Sequence, residues 1–281
     1  MGRAAVTTLL LVGVLAGGGA LLWRLARGRG AAARIGPPVL FGALLLAAWQ
    51  VACVGYGVPG VLLPPPSSIA WAFATHLPTL GVDFVQTVLR AVLPGYAVGC
   101  AAGLCAAIAL DRSDFLRRGV MPLGSLAAAM PIVGIAPIMV MWFGFDWPSK
   151  AAVVVVMTFF PALVQATAGL AAAGATERDL MRGYGAGYLA TLLRLRLPAA
   201  VPFLFVALKL NATLALIGAI VAEFFGTPIV GMGFRISTEA TRMNLDLVWA
   251  EIVLASLTGT LAFAVLSLLE RRVAFWHPSF R

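Results

Sequence analysis

The sequence predicts an all-α protein that crosses a membrane several times, and three observations carry that reading. Hydrophobic residues make up 61% of the 281 and charged residues 11%, with a mean hydropathy of +0.98. That is more apolar surface than a soluble core can hide. The apolar residues gather in seven runs, each near the roughly 20 residues that a helix needs to cross the hydrocarbon core. Threaded as seven spans with the N-terminus outside, the chain puts fourteen of its twenty Lys and Arg in loops on the cytoplasmic side. Four (Arg3, Lys150, Arg235, Arg242) fall outside and two (Arg90, Lys209) within the membrane. This asymmetry follows the positive-inside rule and leaves the C-terminus in the cytoplasm. The net charge of +9 thus sits in loops. A nucleic-acid surface would need its basic residues on one folded face with polar and aromatic companions, so no nucleic-acid partner is expected.

The first run, residues 5–23, is interrupted by Gly17, Gly18 and Gly19. A signal peptide is the alternative here, but the stretch is long enough to span and no small-x-small cleavage site precedes Arg24. Four arginines in residues 24–34 mark a cytoplasmic loop. The second run, 37–56, opens on Pro37-Pro38, where a missing N–H suits a helix start. Residues 57–83 are too broken by proline for a span, although 68–77 suit a short interfacial helix with Trp71 and Phe73 at headgroup depth. The third run, 84–110, carries Gly95, Gly99 and Gly103 at a spacing of four, which lets another helix approach closely.

The fourth run, 119–143, contains Pro131 and Pro137. Prolines bend a membrane helix and free its carbonyls, which is tolerated where the helix packs on protein or lines a cavity. The fifth run is 151–173 and the sixth 199–224, the latter with Lys209 and Asn211 at membrane depth and Glu223 at its outer end. Charge inside a membrane is a candidate for function. Residues 226–247 read as a loop and a short re-entrant or interfacial helix over 234–243, and 248–269 as the last span, stopped by Arg271 and Arg272. Cys53, Cys100 and Cys105 lie in apolar runs and give no disulfide framework or metal spacing.

Between the fifth and sixth runs lies ERDLMRGYGAGYLATLLRLRLP, residues 177–198, a polar and basic island. Arg178, Arg182, Arg194 and Arg196 with Glu177 and Asp179 belong in water, since each would cost a few kcal/mol at the bilayer centre. Tyr184, Tyr188, Leu192 and Leu195 recur at helical spacing, which predicts an amphipathic helix near 183–193 with an apolar face in need of a partner.

This segment resembles the cytoplasmic loop of the permease subunits of bacterial ABC importers: Glu-Ala-Ala, three residues, Gly, nine residues, Ile, one residue, Leu-Pro. Asp179, Leu180 and Met181 take the first three places, Gly185 the glycine, Leu195 the isoleucine, and Leu197-Pro198 the end. Asp replaces Glu, and Leu-Met replaces Ala-Ala. Two further stretches resemble the branch of these permeases that serves nitrate, sulfonates, taurine, thiamine-precursor pyrimidines and riboflavin. They are Leu63 to Ser67, and Pro131, Ala136-Pro137, Trp142-Phe143-Gly144 with Lys150.

The resemblance implies the transmembrane domain of a type I ABC importer, six core helices plus one at the N-terminus. It assigns residues 1–36 to the added helix and its basic loop, and 37–281 to a permease domain with its core at about 80–272. It implies that Asp179, Arg182, Gly185, Ala186, Leu195, Leu197 and Pro198 couple the chain to a cytoplasmic ATPase subunit. Met130, Pro131, Lys209 and Glu223 are candidates for the translocation path. The implied partners are that ATPase, an external solute-binding protein, a second permease copy and membrane lipid, in a bacterial inner membrane. The solute would resemble either a thiamine-precursor pyrimidine or riboflavin, or else a sulfonate, nitrate or taurine.

No catalytic or metal site is expected in the chain itself. Its two lysines, Lys150 and Lys209, lie in no phosphate-binding loop, so ATP and Mg²⁺ would be held by the partner ATPase and no cofactor by this chain. His76 and His277 are too few and too far from the spans for a zinc or His-carboxylate site. The competing reading is a secondary transporter driven by an ion gradient. That would favour acids at the midplane and inverted repeats, and the sequence shows neither clearly.

Overall fold

The computed structural model describes residues 2–28, 31–113, 115, 119–120, 131–226 and 228–276. Among them the secondary structure is helical throughout. The helices are α1 (Gly2–Ala26), α2 (Ala31–Tyr56), α3 (Pro66–Thr75), α4 (Leu77–Phe84), α5 (Leu93–Asp111), α6 (Ile132–Phe143), α7 (Trp147–Ala171), α8 (Ala175–Gly183), α9 (Tyr188–Thr191), α10 (Leu197–Glu223), α11 (Met232–Thr241) and α12 (Leu245–Val273). Two π-helical stretches, Val85–Val92 and Leu192–Arg196, join α4 to α5 and α9 to α10.

Both π stretches end at a Leu-Pro pair. Leu93 donates its N–H to Val88 and Leu197 to Leu192, five residues back instead of four. Pro94 and Pro198 follow. A proline cannot donate to the carbonyl four residues back and its ring crowds that carbonyl, so the turn before it widens.

Six described helical segments are long and apolar enough to cross a membrane: Ala5–Ala26, Ile35–Tyr56, Leu77–Asp111, Trp147–Ala171, Tyr188–Glu223 and Leu245–Val273. The fourth run expected from the sequence lies partly outside the described residues. Its described portion contributes α6, a shorter apolar helix. The start of α2 also differs from expectation. The helix begins at Ala31, and Pro37 and Pro38 lie inside it, each removing one backbone hydrogen bond.

The chain divides into two compact units, residues 1–77 with 236–252, and residues 78–235 with 253–281. In the first unit α1 packs along α2, with Thr8 and the Tyr56 hydroxyl 2.9 Å apart. Gln50 binds Ser67 twice at 3.0 Å, accepting from its N–H and donating to its hydroxyl, which fixes the start of α3. Trp49 and Trp249 meet edge to face at 5.1 Å.

The second unit is built on α5 against α7 and α7 against α10. Lipid is as apolar as a leucine side chain, so membrane helices gain little from apolar burial and associate through close packing and hydrogen bonds. The buried surfaces are accordingly small: Ala107, Ala162, Ala166, Ala200, Ala207, Ala215, Ala219 and Ala222. Gly103 shows how close the approach is, since a Cβ there would lie 2.7 Å from both the Ala162 Cβ and the Phe159 carbonyl oxygen. The expected glycine stripe is therefore the α5–α7 contact. Asn211, fully buried in α10, donates to the Thr158 carbonyl at 2.8 Å and the Cys100 sulfur at 3.2 Å, linking the three helices at depth.

Candidate functional site

The 177–198 segment does not form one amphipathic helix. Helix α8 ends at Gly183, and Gly185 follows in the left-handed region at φ +69°. Its N–H donates to Arg182 and that of Ala186 to Met181, both at 2.9 Å, the paired bonds of a Schellman cap. The helix expected near 183–193 is therefore cut at its start. Tyr184 lies before the break and is exposed, whereas Leu192 beyond it is buried in a cluster with Ala107, Leu110, Leu163 and Leu170. The periodicity of Tyr184, Tyr188, Leu192 and Leu195 runs across a turn that only a left-handed residue can make.

The structure instead presents α8 and its turn as an exposed lobe. Asp179 and Arg182 pair at 3.0 Å on its surface, an i,i+3 contact worth a few tenths of a kcal/mol. Leu180, Tyr184 and Leu189 are exposed apolar side chains on the lobe and at its edge. Leu197 packs against the buried cluster, and Pro198 is the second residue of α10. Leu195, Leu197 and Pro198 thus belong to the root of the segment, and Asp179, Arg182, Gly185 and Ala186 to its lobe.

Sequence reasoning missed what fastens the root. Arg196 donates through Nη2 to Asp111 Oδ1 at 2.6 Å, through Nη1 to Asp111 Oδ2, and through Nε to the Leu170 carbonyl at 3.0 Å. The Tyr188 hydroxyl donates to Asp111 Oδ2 at 3.1 Å, and the Arg112 guanidinium lies 4.8 Å from the Tyr188 ring centre. One signal was readable: an acid ending a long apolar run, where it opposes the helix dipole and so requires a cation.

The candidate path residues are not gathered in one place. Lys209 and Glu223 share α10 at a separation of fourteen residues, roughly 21 Å of helix. The Lys209 ammonium lies 2.8 Å from Glu270 Oε2, an acidic partner that was not expected. Pro131 immediately precedes α6 and is exposed. Met130 lies outside the described residues.

Glu223 caps a helix. Its Oε1 accepts from the Thr87 hydroxyl at 2.8 Å and its Oε2 from the Gly233 N–H at 2.6 Å. Asp83 Oδ1 accepts from the Gly231 N–H at 2.7 Å, the Thr87 oxygen accepts from the Met232 N–H at 2.9 Å, and Arg235 pairs with Asp83 at 2.8 Å. The start of α11 is thereby held by two carboxylates and a hydroxyl from other helices, where unsatisfied N–H groups and the positive end of the dipole favour anions.

Lys150 closes the same end. Fully buried, it donates to the Phe145 carbonyl at 2.6 Å, the Ser149 hydroxyl at 3.1 Å and the Gly226 carbonyl. Beside it Asp146 caps α7. The Trp147 N–H at 2.7 Å, and next the Gln86 amide at 3.0 Å, hold its carboxyl below the usual carboxylate range. Among the described residues no group of His, Cys, Asp and Glu comes together as a metal site.

The sequence is similar to those of several known proteins. The chain is 31% identical over 240 residues to the formylaminopyrimidine transport permease protein ThiX of Halalkalibacterium halodurans, covering 85% of this chain and 95% of that one. A probable ABC transporter permease protein of Haemophilus influenzae is 30% identical over 239 residues, covering 85% and 97%. The riboflavin transport system permease protein RibX of Chloroflexus aurantiacus is 28% identical over 238 residues, covering 84% and 88%. Residues 95–275 match the family described as binding-protein-dependent transport system inner membrane component, a span that runs from the glycine stripe of α5 past Glu270 and takes in the whole lobe and its root. The chain belongs to that family, the multi-pass inner-membrane permease subunits of ABC importers.

Proposed function

We propose that this permease moves a small nitrogen heterocycle of the formylaminopyrimidine or riboflavin type, delivered by an external binding protein. An ATPase that holds ATP and Mg²⁺ on its own chain would drive it, and this chain would bind no cofactor. The observation that carries the coupling is the lobe of α8: an exposed helix and turn with apolar Leu180 and Tyr184 outward, whose root is packed among the ends of the spans. A projection fastened at its root transmits a push instead of absorbing it. The Asp111 end of the spans then faces the cytoplasm with the C-terminus, and the Glu223 end faces outward with the N-terminus. Two copies of the chain, or this chain and a second permease, would enclose the path.

The heterocycle reading rests on ThiX and RibX among the relatives. Permeases named for aliphatic sulfonates and taurine, at 28% and 25% identity, supply the alternative. The deciding experiment is uptake into proteoliposomes holding the permease, its co-purified ATPase and binding protein. Labelled formylaminopyrimidine, riboflavin, taurine and an alkanesulfonate would be offered in parallel, with and without ATP inside. ATP-dependent uptake of a heterocycle is expected. Uptake driven by an ion gradient with no ATP would overturn the reading, and ATP-dependent uptake of taurine or the sulfonate would overturn the substrate class alone.

A further inference from the structure

Arg196 ties three helix ends together. Asp111 is the last residue of α5, Leu170 lies one residue before the end of α7, and Arg196 ends the π stretch that leads into α10. Each partner has an electrostatic need at its position. The carboxylate of Asp111 sits at the negative end of the α5 dipole, and the last carbonyls of α7 have no N–H partner within their own helix. A single guanidinium answers both, with two of its nitrogens on the carboxylate and the third on the carbonyl.

The Arg196 and Asp111 side chains are only 14% and 8% exposed. The pair is thus shielded and bidentate, the strong form of this contact, unlike the Asp179–Arg182 pair on the lobe. Tyr188, the first residue of α9, adds its hydroxyl to the same carboxylate, and Arg112 covers its ring. The lobe, from Ala175 to Gly187, is thus fastened immediately at its C-terminal root. The widened turn before Pro198 is what carries Arg196 there, since the π stretch Leu192–Arg196 ends on it.

We propose that Asp111, Arg196 and Tyr188 form the joint through which displacement of the lobe moves α5, α7 and α10 as one body. They are positioning residues for coupling, and they act through the helices without touching nucleotide or solute. The inference rests on the reading of the lobe as the ATPase contact. Without the joint, a push on α8 would reach the spans only along the backbone of residues 184–187 and 172–174, which can swivel. ATP hydrolysis would then continue while the spans respond incompletely.

The test uses the assembled transporter in proteoliposomes and reads solute delivered per ATP hydrolysed, with recruitment of the ATPase measured separately by co-purification. Asp111→Asn removes the charge, and Tyr188→Phe removes a single hydroxyl with little risk to folding. Both are expected to recruit the ATPase as the parent chain does. Solute per ATP is expected to fall at least fivefold in Asp111→Asn and about twofold in Tyr188→Phe. Arg196→Lys, which keeps charge but loses the fork and the Leu170 bond, is expected to lie between. Should Asp111→Asn not assemble, Tyr188→Phe and Arg196→Lys decide the matter. An unchanged ratio in the variants that assemble overturns the joint. Failure of the unmodified chain to recruit any ATPase would instead sink the coupling reading beneath it.

Discussion

The Lys209 ammonium, on a helix that crosses the membrane, is 2.8 Å from a carboxylate oxygen of Glu270 on another, with the Phe263 ring 5.7 Å from the same nitrogen. The Glu270 side chain is 9% exposed and that of Lys209 20%. An ion pair placed this way is costly to split, because the remaining charge keeps its desolvation penalty without its partner. Lys209→Met and Glu270→Gln alone are each expected to destabilise the purified protein by about 2 kcal/mol, below the fully buried range because Lys209 is partly open. The double variant is expected to regain much of that loss. Thermal unfolding in detergent reads the effect. A double variant as stable as the parent but with a raised KM for solute would place Lys209 in the translocation path; an unchanged KM would leave it structural.

Gly185 separates two reasons for a glycine at the turn of the lobe. A Cβ built there meets nothing within 4 Å, while the backbone stands at φ +69°. Within this chain the requirement is therefore conformational, and an L side chain in that region costs roughly 1–2 kcal/mol, less for Asn. Gly185→Ala is expected to weaken coupled uptake and Gly185→Asn to retain most of it. If Asn and Ala abolish recruitment of the ATPase equally, the partner itself packs on the glycine. Gly185→Trp is expected to fail on either ground.

What the sequence revealed and what it hid have physical explanations. The spans were legible because apolar runs of membrane length have one outcome in lipid. The course of the lobe was not, because periodicity alone does not show that a glycine takes the left-handed conformation. Glu270 lies beside Arg271 and Arg272 and was absorbed into a stop signal, although its partner is 61 residues away in the chain. Asp111 lies just past the third apolar run, beside Arg112, and its partner Arg196 is 85 residues away in the chain. Lys150 was counted on the outer side of the membrane, but its 1% exposure and its oxygen partners were not visible in the sequence. A charge at the end of an apolar run shows that a partner is needed, but nothing local shows which distant residue supplies it.

The cap on α7 makes a prediction about pH. The Asp146 carboxyl is held below its ordinary value, first by the Trp147 N–H and then by the Gln86 amide. A folded value lower than the unfolded one adds stability at pH above the unfolded Asp value, about 3.9, and loses it as pH falls through the folded value. Asp146→Ala is expected to cost about 1 kcal/mol at pH 7, as for other N-caps, and Asp146→Asn a few tenths. The gap in unfolding temperature between the parent and Asp146→Asn is expected to be constant from pH 8 to 5 and to narrow below about pH 4. A gap that changes between pH 8 and 6 would mean that some other group governs the cap.

Glu223 tests whether the acid at the far end of α10 serves the fold or the solute. Both of its oxygens accept hydrogen bonds, from the Thr87 hydroxyl and the Gly233 N–H, and the residue is 3% exposed. Glu223→Gln keeps one acceptor and turns an NH₂ group toward a donor, which costs roughly 1–3 kcal/mol locally. That loss falls on the start of α11, where Asp83 still holds Gly231 and Arg235. The chain is therefore expected to stay folded and to recruit its ATPase, while the amides of residues 231–233 exchange with solvent at least tenfold faster. If uptake falls in proportion to that loosening, Glu223 acts by fastening α11. Should uptake change while exchange at 231–233 stays at the parent rate, the cap would be intact, and the carboxylate would have to meet solute in another conformation of the transport cycle.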